Sequence, residues 1–500
     1  MKKLSKSLKW LDGNILGILV GIYIFFIPLY PKLPLHMINY TYIAFRLEDV
    51  YAALMFAVFS IQFLRKKVTL NRRYIILFSL FWGAVFLSTL WGLYIAKNIV
   101  ISHLGYLNAL RRVEYMFVFF VAISVIKSKK DFFRYMGLVL LAFLLVNIYG
   151  LGQKFLGWPA VQTMNPEYAK GYLLFLTPDA RISSTFAGHY DLAGYLVLLL
   201  PIVWAFYFAR KKIYYIILFI LGVLILIFTA SRISYGAYIV STFPFLFIFR
   251  KFKPLAIALV FTLLFTFTSN SLTSRFQRTF QVKQIFVDQK TGNVVVPQKL
   301  SAKTLPAGSF YIPLQKQGGA VSTNEENLLQ QRLLDQVHEQ EKSTGQKLSS
   351  EQEQQMIASL SANLKPVNTV VSDISFATRL QVEWPRAINA FLTNPILGTG
   401  PSSITEATDN DYLRSFGEVG LLGSALFALI LFFLAKDMLQ FANKQKTNDK
   451  YIYYGFLFGL GGLLINATYI DVFEASKIAF QFWLIAGLLI GSILYEKRSA

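Results

Sequence analysis

Apolar stretches, each close to the span of a lipid bilayer, alternate with short polar connections along most of this chain. A helix needs about 20 mainly apolar residues to cross the hydrocarbon core. Runs of that kind stand at about residues 14–30, 44–63, 74–95, 107–126, 135–156, 188–208, 213–230, 233–249, 254–268, 416–435, 451–470 and 477–495. They predict an all-α polytopic membrane protein of about twelve transmembrane helices, with a large extracytoplasmic loop between helices 9 and 10. No small-residue cleavage site follows the first run, so it reads as a retained helix rather than a cleaved signal.

Such a topology makes a demand on charge: every second connection should be rich in Lys and Arg. The N-terminus has Lys2, Lys3, Lys6 and Lys9, and the next inside connections carry Arg65, Lys66, Lys67, Arg72 and Arg73, then Lys127, Lys129, Lys130 and Arg134. The alternation continues through Arg210–Lys212, Arg250–Lys253, Lys436–Lys450 and the C-terminal Lys497 and Arg498. The opposite connections hold only scattered cations such as Lys32, Lys97, Lys170 and Arg181. Both termini are therefore expected in the cytoplasm, with residues 1–268 forming helices 1–9, 269–414 the outside loop and 415–500 helices 10–12.

Composition agrees with the pattern. The chain is 55% hydrophobic and 15% charged, where a soluble domain carries about 25% charged residues. A net charge of +22 raises nucleic acid as a partner. The cations cluster instead at helix ends, where anionic lipid headgroups lie, and this argues for membrane lipids and against nucleic acid. The absence of cysteine excludes disulfides and thiolate chemistry.

The outside loop is long enough to fold. A variable insert is expected over about 281–370. IFVDQKTGNVVVP (285–297) reads as two short strands around a turn at 290–293, and 324–342 reads as a Gln/Glu/Leu-rich helix. A second helix is expected to begin at Ser350, with Glu353 completing a capping box. The loop's last part, 379–404, is aromatic, marked by Pro and Gly, and amphipathic, as a segment lying on the membrane surface would be.

Ionisable groups at membrane depth are costly and so mark candidate functional positions. Arg46, Glu48 and Asp49 open one helix; Arg111, Arg112 and Glu114 open another; Glu418 stands early in helix 10. Each of the first two clusters contains both signs, so internal pairing is the plainer reading, and Glu418 has an arginine as its natural partner. Arg181, in RISSTFAGHYDLAGYL (181–196), and Arg232, in TASRISYG (229–236), are harder to account for by pairing. A guanidinium offers a rigid fork of donors that grips phosphate oxygens and keeps its charge. His189 opens the sixth run eight residues after Arg181, and His36, His103 and His338 show no partner pattern. No metal-ligand spacing, phosphate-cradling loop or nucleophile elbow is present.

These residues resemble the bacterial O-antigen ligase/polymerase family of polytopic glycosyltransferases. RISSTFAGHYDLAGYL is similar to the family's Arg-x-x-Gly/Ser-Thr-Phe block, and TASRISYG to its Ser-Arg turn. WPRAINAFLTNPILGTG (384–400) followed by DNDYLRSFGEVGLLG (409–423) resembles the block that ends the large outside loop. The resemblance implies glycan transfer at the outer face of the bacterial plasma membrane from a polyprenyl-diphosphate-linked donor, without metal or other cofactor, to an acceptor glycan or lipid. It puts Arg181 and Arg232 at the family's arginine positions and Asp409 where its ligases have a histidine. That substitution favours a polymerase joining repeat units over a ligase moving finished glycan.

The resulting candidates are Arg181, Arg232 and Asp409 as catalytic. The substrate-binding set is His189, Tyr190, Asp191, Arg379, Trp384, Asn410, Tyr412 and Glu418. Asp409 as general base requires a raised pKa; it would serve equally to orient an acceptor hydroxyl or to pair with an arginine. The competing class is a carrier, including a lipid-linked oligosaccharide flippase. Carriers place substrate near the bilayer midplane between related halves, whereas these arginines are expected at the outer surface and no repeat is evident.

Overall fold

The computed structural model describes residues 2–38, 44–68, 70–163, 168–269, 272–273, 378–404 and 408–499, with 280–288, 294–295, 312–313, 333–334, 337, 350–362 and 364–372 between them. Every one of the apolar runs coincides with a helix. The first nine are α1 (Lys2–Leu29), α2 (Leu47–Leu64), α3 (Arg72–Leu90), α4 (Ser102–Ser124), α5 (Lys129–Phe155), α6 (His189–Arg210), α7 (Tyr214–Phe228), α8 (Arg232–Ile248) and α9 (Phe252–Thr268). After them come α10 (Ser350–Ala362), α11 (Trp384–Thr393), α12 (Asp411–Lys444), α13 (Lys450–Asn466) and α14 (Ser476–Ser499).

Among the described residues, 7 helices are long and apolar enough to cross a membrane: Trp10–Leu29, Leu47–Leu64, Arg72–Ile95, Lys129–Phe155, His189–Arg210, Asp411–Lys444 and Ser476–Arg498. The larger expected number comes from also counting short apolar helices such as Tyr214–Phe228 and Phe252–Phe267 and the charge-bearing α4.

The chain divides into two compact units, residues 1–273 with 384–500, and residues 274–383. In the first, α6 and α14 are the buried centre, each with 89% of its apolar window inside the protein. Both are apolar on every side, as helices enclosed by others must be. Small residues let the neighbours approach closely. On α13, Gly455, Gly459 and Gly462 lie against the backbone and side chains of α6, and a Cβ on Gly459 would stand 2.4 Å from the Leu198 carbonyl oxygen. On α14, Gly487 and Gly491 do the same against Phe119 and Ile123 of α4. β1 (Pro34–Met37) and β2 (Ala44–Arg46) form a short antiparallel pair leading into α2.

The second unit corrects the all-α expectation. It holds a 4-stranded antiparallel sheet in the order β4-β3-β6-β5, with β3 Phe280–Asp288, β4 Val294–Val295, β5 Ile312–Pro313 and β6 Leu364–Ser372. The hairpin read at 285–297 is there as β3 and β4, paired at Phe286–Val295 and Val287–Val294. Sequence reading missed the two-residue β5 and the longer β6, LKPVNTVVS, which pairs with β3 along its whole length. Its β-branched residues favour a strand, while its short period and internal Pro obscured the alternation. α10 begins at Ser350 and ends at Ala362. Most of the helix read at 324–342 falls outside the described residues.

Candidate functional site

The sequence GEVGLLG does not continue one regular helix. α12 breaks at Gly420, whose φ of 63° and ψ of −167° leave the helical region. Only glycine adopts such a backbone without strain. The loop Leu397–Pro401 crosses this break: Thr399 N–H donates to the Gly417 carbonyl at 2.9 Å, and Gly400 N–H to the Glu418 carbonyl at 2.9 Å. Ser88 Oγ donates to the same Glu418 carbonyl at 2.6 Å. The break's open backbone groups are thereby satisfied, as buried polar groups must be.

The break sets Glu418 inside the protein, 1% exposed, between two guanidiniums. Arg112 of α4 pairs with it through Nη2, and Arg414 Nε stands 3.5 Å from its Oε1. Arg112 Nε also donates to Glu474 at 2.8 Å, and Arg414 Nη1 to Asp471 at 2.9 Å. Burial alone would raise the Glu474 carboxyl; Arg112 and Arg414 outweigh it and hold this group below the usual carboxylate range.

Asp471 also organises the turn before α12. Its Oδ2 accepts from the backbone N–H of Thr408 at 3.2 Å and Asp409 at 3.3 Å, and its Oδ1 from Asn410 at 3.0 Å. Successive N–H groups facing one anion make a nest. Asp409 takes the left-handed conformation, φ 51°, which Asp and Asn tolerate better than most residues. Asn410 is the N-cap, accepting from Leu413 N–H at 3.0 Å, and its side-chain NH2 donates to the Thr468 carbonyl at 2.9 Å. Asp411 accepts from Val472 and Phe473 N–H at 2.8 and 3.1 Å, and Tyr412 OH donates to the Leu464 carbonyl at 2.9 Å.

The arginine-bearing blocks meet at the start of α6 and the α7–α8 turn. Gln153 of α5 pins the RISSTF loop: its carbonyl accepts from Ser183 and Ser184 N–H, and its NH2 donates to the Ser184 carbonyl at 2.7 Å. Ile182 N–H donates to the Phe228 carbonyl at 3.3 Å, which sets the loop beside the turn that holds Arg232. Arg181 stands over the Tyr190 ring, 5.7 Å from its centre, and the Tyr190 and His189 rings lie 4.1 Å apart. Arg232 begins α8 behind the cap Ser231, whose Oγ donates to Ser234 Oγ at 2.8 Å. His189 is 2% exposed. Gly194, one turn further along α6, abuts Val472 and Ile478, so the start of α6 adjoins the loop that holds the Asp409 turn.

Residues 217–428 match the family model described as O-antigen ligase. This stretch is similar to that family. The matched stretch takes in Arg232, Arg379, Trp384, Asp409, Asn410, Tyr412 and Glu418, and stops short of Arg181, His189, Tyr190 and Asp191 on one side and Asp471 and Glu474 on the other. The match supports a membrane protein of glycan transfer. No curated protein matches the chain.

The structure thus brings Arg181, His189 and Tyr190 together and sets their loop against the turn of Arg232, while Asp409, Asn410 and Tyr412 gather around the Asp471 loop. Glu418, read as a substrate contact, has its carboxylate taken up by Arg112, Arg414 and the Ser402 N–H. Trp384 opens α11 with its ring edge-on to Tyr469, centres 6.3 Å apart, and Arg379 belongs to the second unit. The expected pairing of Arg112 within its own cluster is corrected: its partners are Glu418 and Glu474, far along the chain. Sequence reading missed Asp471, Glu474 and Gln153, which sit in short connections or on an apolar helix with no spacing signal. Lys477 was missed as well; its Nζ donates to the Tyr30 and Thr185 carbonyls, both at 2.6 Å. Among the described residues no group of His, Asp or Glu is arranged to hold a metal ion.

Proposed function

We propose that the protein is a membrane glycosyltransferase that joins polyprenyl-diphosphate-linked repeat units on the outer face of the bacterial plasma membrane, a polysaccharide polymerase of about twelve crossings with cytoplasmic termini. The observation that carries it is the juxtaposition of two blocks: the Ile182–Phe228 hydrogen bond sets the Arg181 loop beside the Arg232 turn. Two guanidiniums on adjoining segments suit a diphosphate, whose oxygens each fork can grip in pairs.

In this reading the acceptor sugar hydroxyl attacks the anomeric carbon of the donor. The carbon–oxygen bond to the diphosphate breaks, the lipid diphosphate leaves with the electron pair, and Asp409 takes the hydroxyl proton. Arg181 and Arg232 stabilise the charge that develops on the leaving group. His189, Tyr190, Asp191, Asn410 and Tyr412 line the approach, with Trp384 from the segment expected at the membrane surface. Asp471 is the positioning residue, since its carboxylate fixes the turn that presents Asp409. Asp409 in place of the family's histidine is what favours polymerase over ligase.

Two experiments test this. Arg232→Lys keeps the charge and loses the fork; glycan polymerisation in membranes should fall at least tenfold, about 1.4 kcal/mol of transition-state stabilisation, and full activity would rule out the bidentate role. Deleting the gene should leave single lipid-linked repeat units. Long lipid-linked polymer would assign a ligase instead.

A further inference from the structure

Beside α12 lies a cavity of about 570 Å³, within the roughly 300–1,000 Å³ of pockets that hold small molecules. On α12 it is lined by Ser424, Ala425, Ala428 and Ala435. Positions 424, 428, 431 and 435 fall on one helix face, and the small side chains leave the space open. Phe81 of α3 and Trp483 of α14 line it from neighbouring helices. From Ser424 to Ala435 the slot follows α12 for roughly 16 Å. Leu421 and Phe432, which also line it, are 51% and 57% exposed, so it opens sideways on the flank of a helix whose apolar window is only 33% buried.

One end of the slot is polar. Arg112, Asp411 and Glu474 line it. Arg112 is 7% exposed; its Nε and Nη2 are used by Glu474 and Glu418, yet Nη1 has no hydrogen-bond partner among the described residues. A buried donor left unmade costs about 1–3 kcal/mol, which an oxygen arriving with a ligand would remove. The long apolar walls exclude a sugar, whose hydroxyls would be stranded there.

We infer that this cavity binds the hydrocarbon chain of a single lipid, isoprenoid or acyl, whose oxygen-bearing head accepts from Arg112 Nη1. The slot recognises a chain with a hydrogen-bond acceptor at its end, whether the lipid carries a glycan or is a phospholipid of the surrounding bilayer. It does not depend on glycan transfer and uses none of the arginines assigned to the diphosphate.

The test is native mass spectrometry of the full chain released from nanodiscs of phosphatidylethanolamine and phosphatidylglycerol, with and without a polyprenyl monophosphate. One retained lipid per protein is expected. Ala428→Phe, which fills the slot, should lower that occupancy at least tenfold, and the milder Ala425→Leu severalfold, while Leu439→Phe beyond the slot leaves it unchanged. Arg112→Lys, which removes Nη1, should lower retention severalfold. Retention of the polyprenyl phosphate identifies a lipid-linked substrate, and retention of the phospholipid identifies a bilayer lipid; both uphold the chain site. Absence of bound lipid, or equal occupancy in the filled variants and the parent, overturns it, and equal occupancy in Arg112→Lys overturns the head contact. Because binding is read without turnover, this failure is separable from that of the proposed activity, which Arg232→Lys reports.

Discussion

Four arginines of the first unit stand in two different settings. Arg112 and Arg414, each 7% exposed, are locked between the carboxylates of Glu418, Asp471 and Glu474. Arg181 and Arg232 are half-buried, the first over the Tyr190 ring and the second at the start of α8 among serine hydroxyls. The first setting fastens distant parts of the chain: α4, the break in α12 and the α13–α14 connection all meet there. The second sits on loops held by backbone hydrogen bonds, a setting that suits a visiting anion. The same side chain is thus a rivet in one place and a candidate ligand grip in the other, and what separates them is depth: the first pair is buried, the second half-exposed.

The largest way to break that comparison is Arg112→Met. It leaves Glu418 and Glu474 buried without their shared cation, and removing one partner of a buried pair costs about 3–5 kcal/mol. Thermal unfolding in detergent should show a large fall in Tm, and a smaller one for Arg181→Met, whose side chain is half-exposed. Equal effects at the two sites would erase the distinction.

A smaller effect is expected at Gly420, whose break carries Glu418 to its arginines. Gly420→Ala must hold φ at 63°, with a Cβ that would stand 2.3 Å from the Ile396 carbonyl oxygen. Such strain costs about 1–3 kcal/mol, and relief by straightening the helix would draw Glu418 away from Arg112 and Arg414. Denaturant unfolding of the variant measures this; a variant as stable as the parent would mean that the break is not what positions the network.

How much of this was legible in the sequence depends on the range of the interaction. Apolar runs are local, and each one coincides with a helix. The hairpin at 285–297 was legible for the same reason, through its turn residues. β6 was not, because its pairing with β3 joins the two far ends of the insert. Arg181 and Arg232 stood out because, Asp179 apart, no acidic residue lies within three positions of either. Glu418 was read both as a substrate contact and as an arginine's partner, and its partner Arg112 lies 306 residues away. Asp471 and Glu474 gave no signal, since a carboxylate in a short connection looks like any solvated turn residue until the fold encloses it. The break at Gly420 was hidden because GEVGLLG also has the composition of a membrane helix.

The smallest effect concerns pH, and it probes what fastens the two buried arginines. Glu474 is held below the usual carboxylate range because Arg112 and Arg414 outweigh its burial. A group whose folded-state pKa is depressed stabilises the fold above its unfolded value, about 4.3 for Glu, and loses that contribution as pH falls through the folded value. The arginines keep their charge throughout, so the loss follows the carboxylate alone. The Tm difference between the parent and Glu474→Gln should therefore be largest near pH 6, on the order of a few °C, and should shrink toward pH 3. A Glu474→Gln difference that stayed constant from pH 6 to pH 3 would show that Glu474 contributes packing rather than charge, and that Glu418 and Asp471 fasten the two arginines without it.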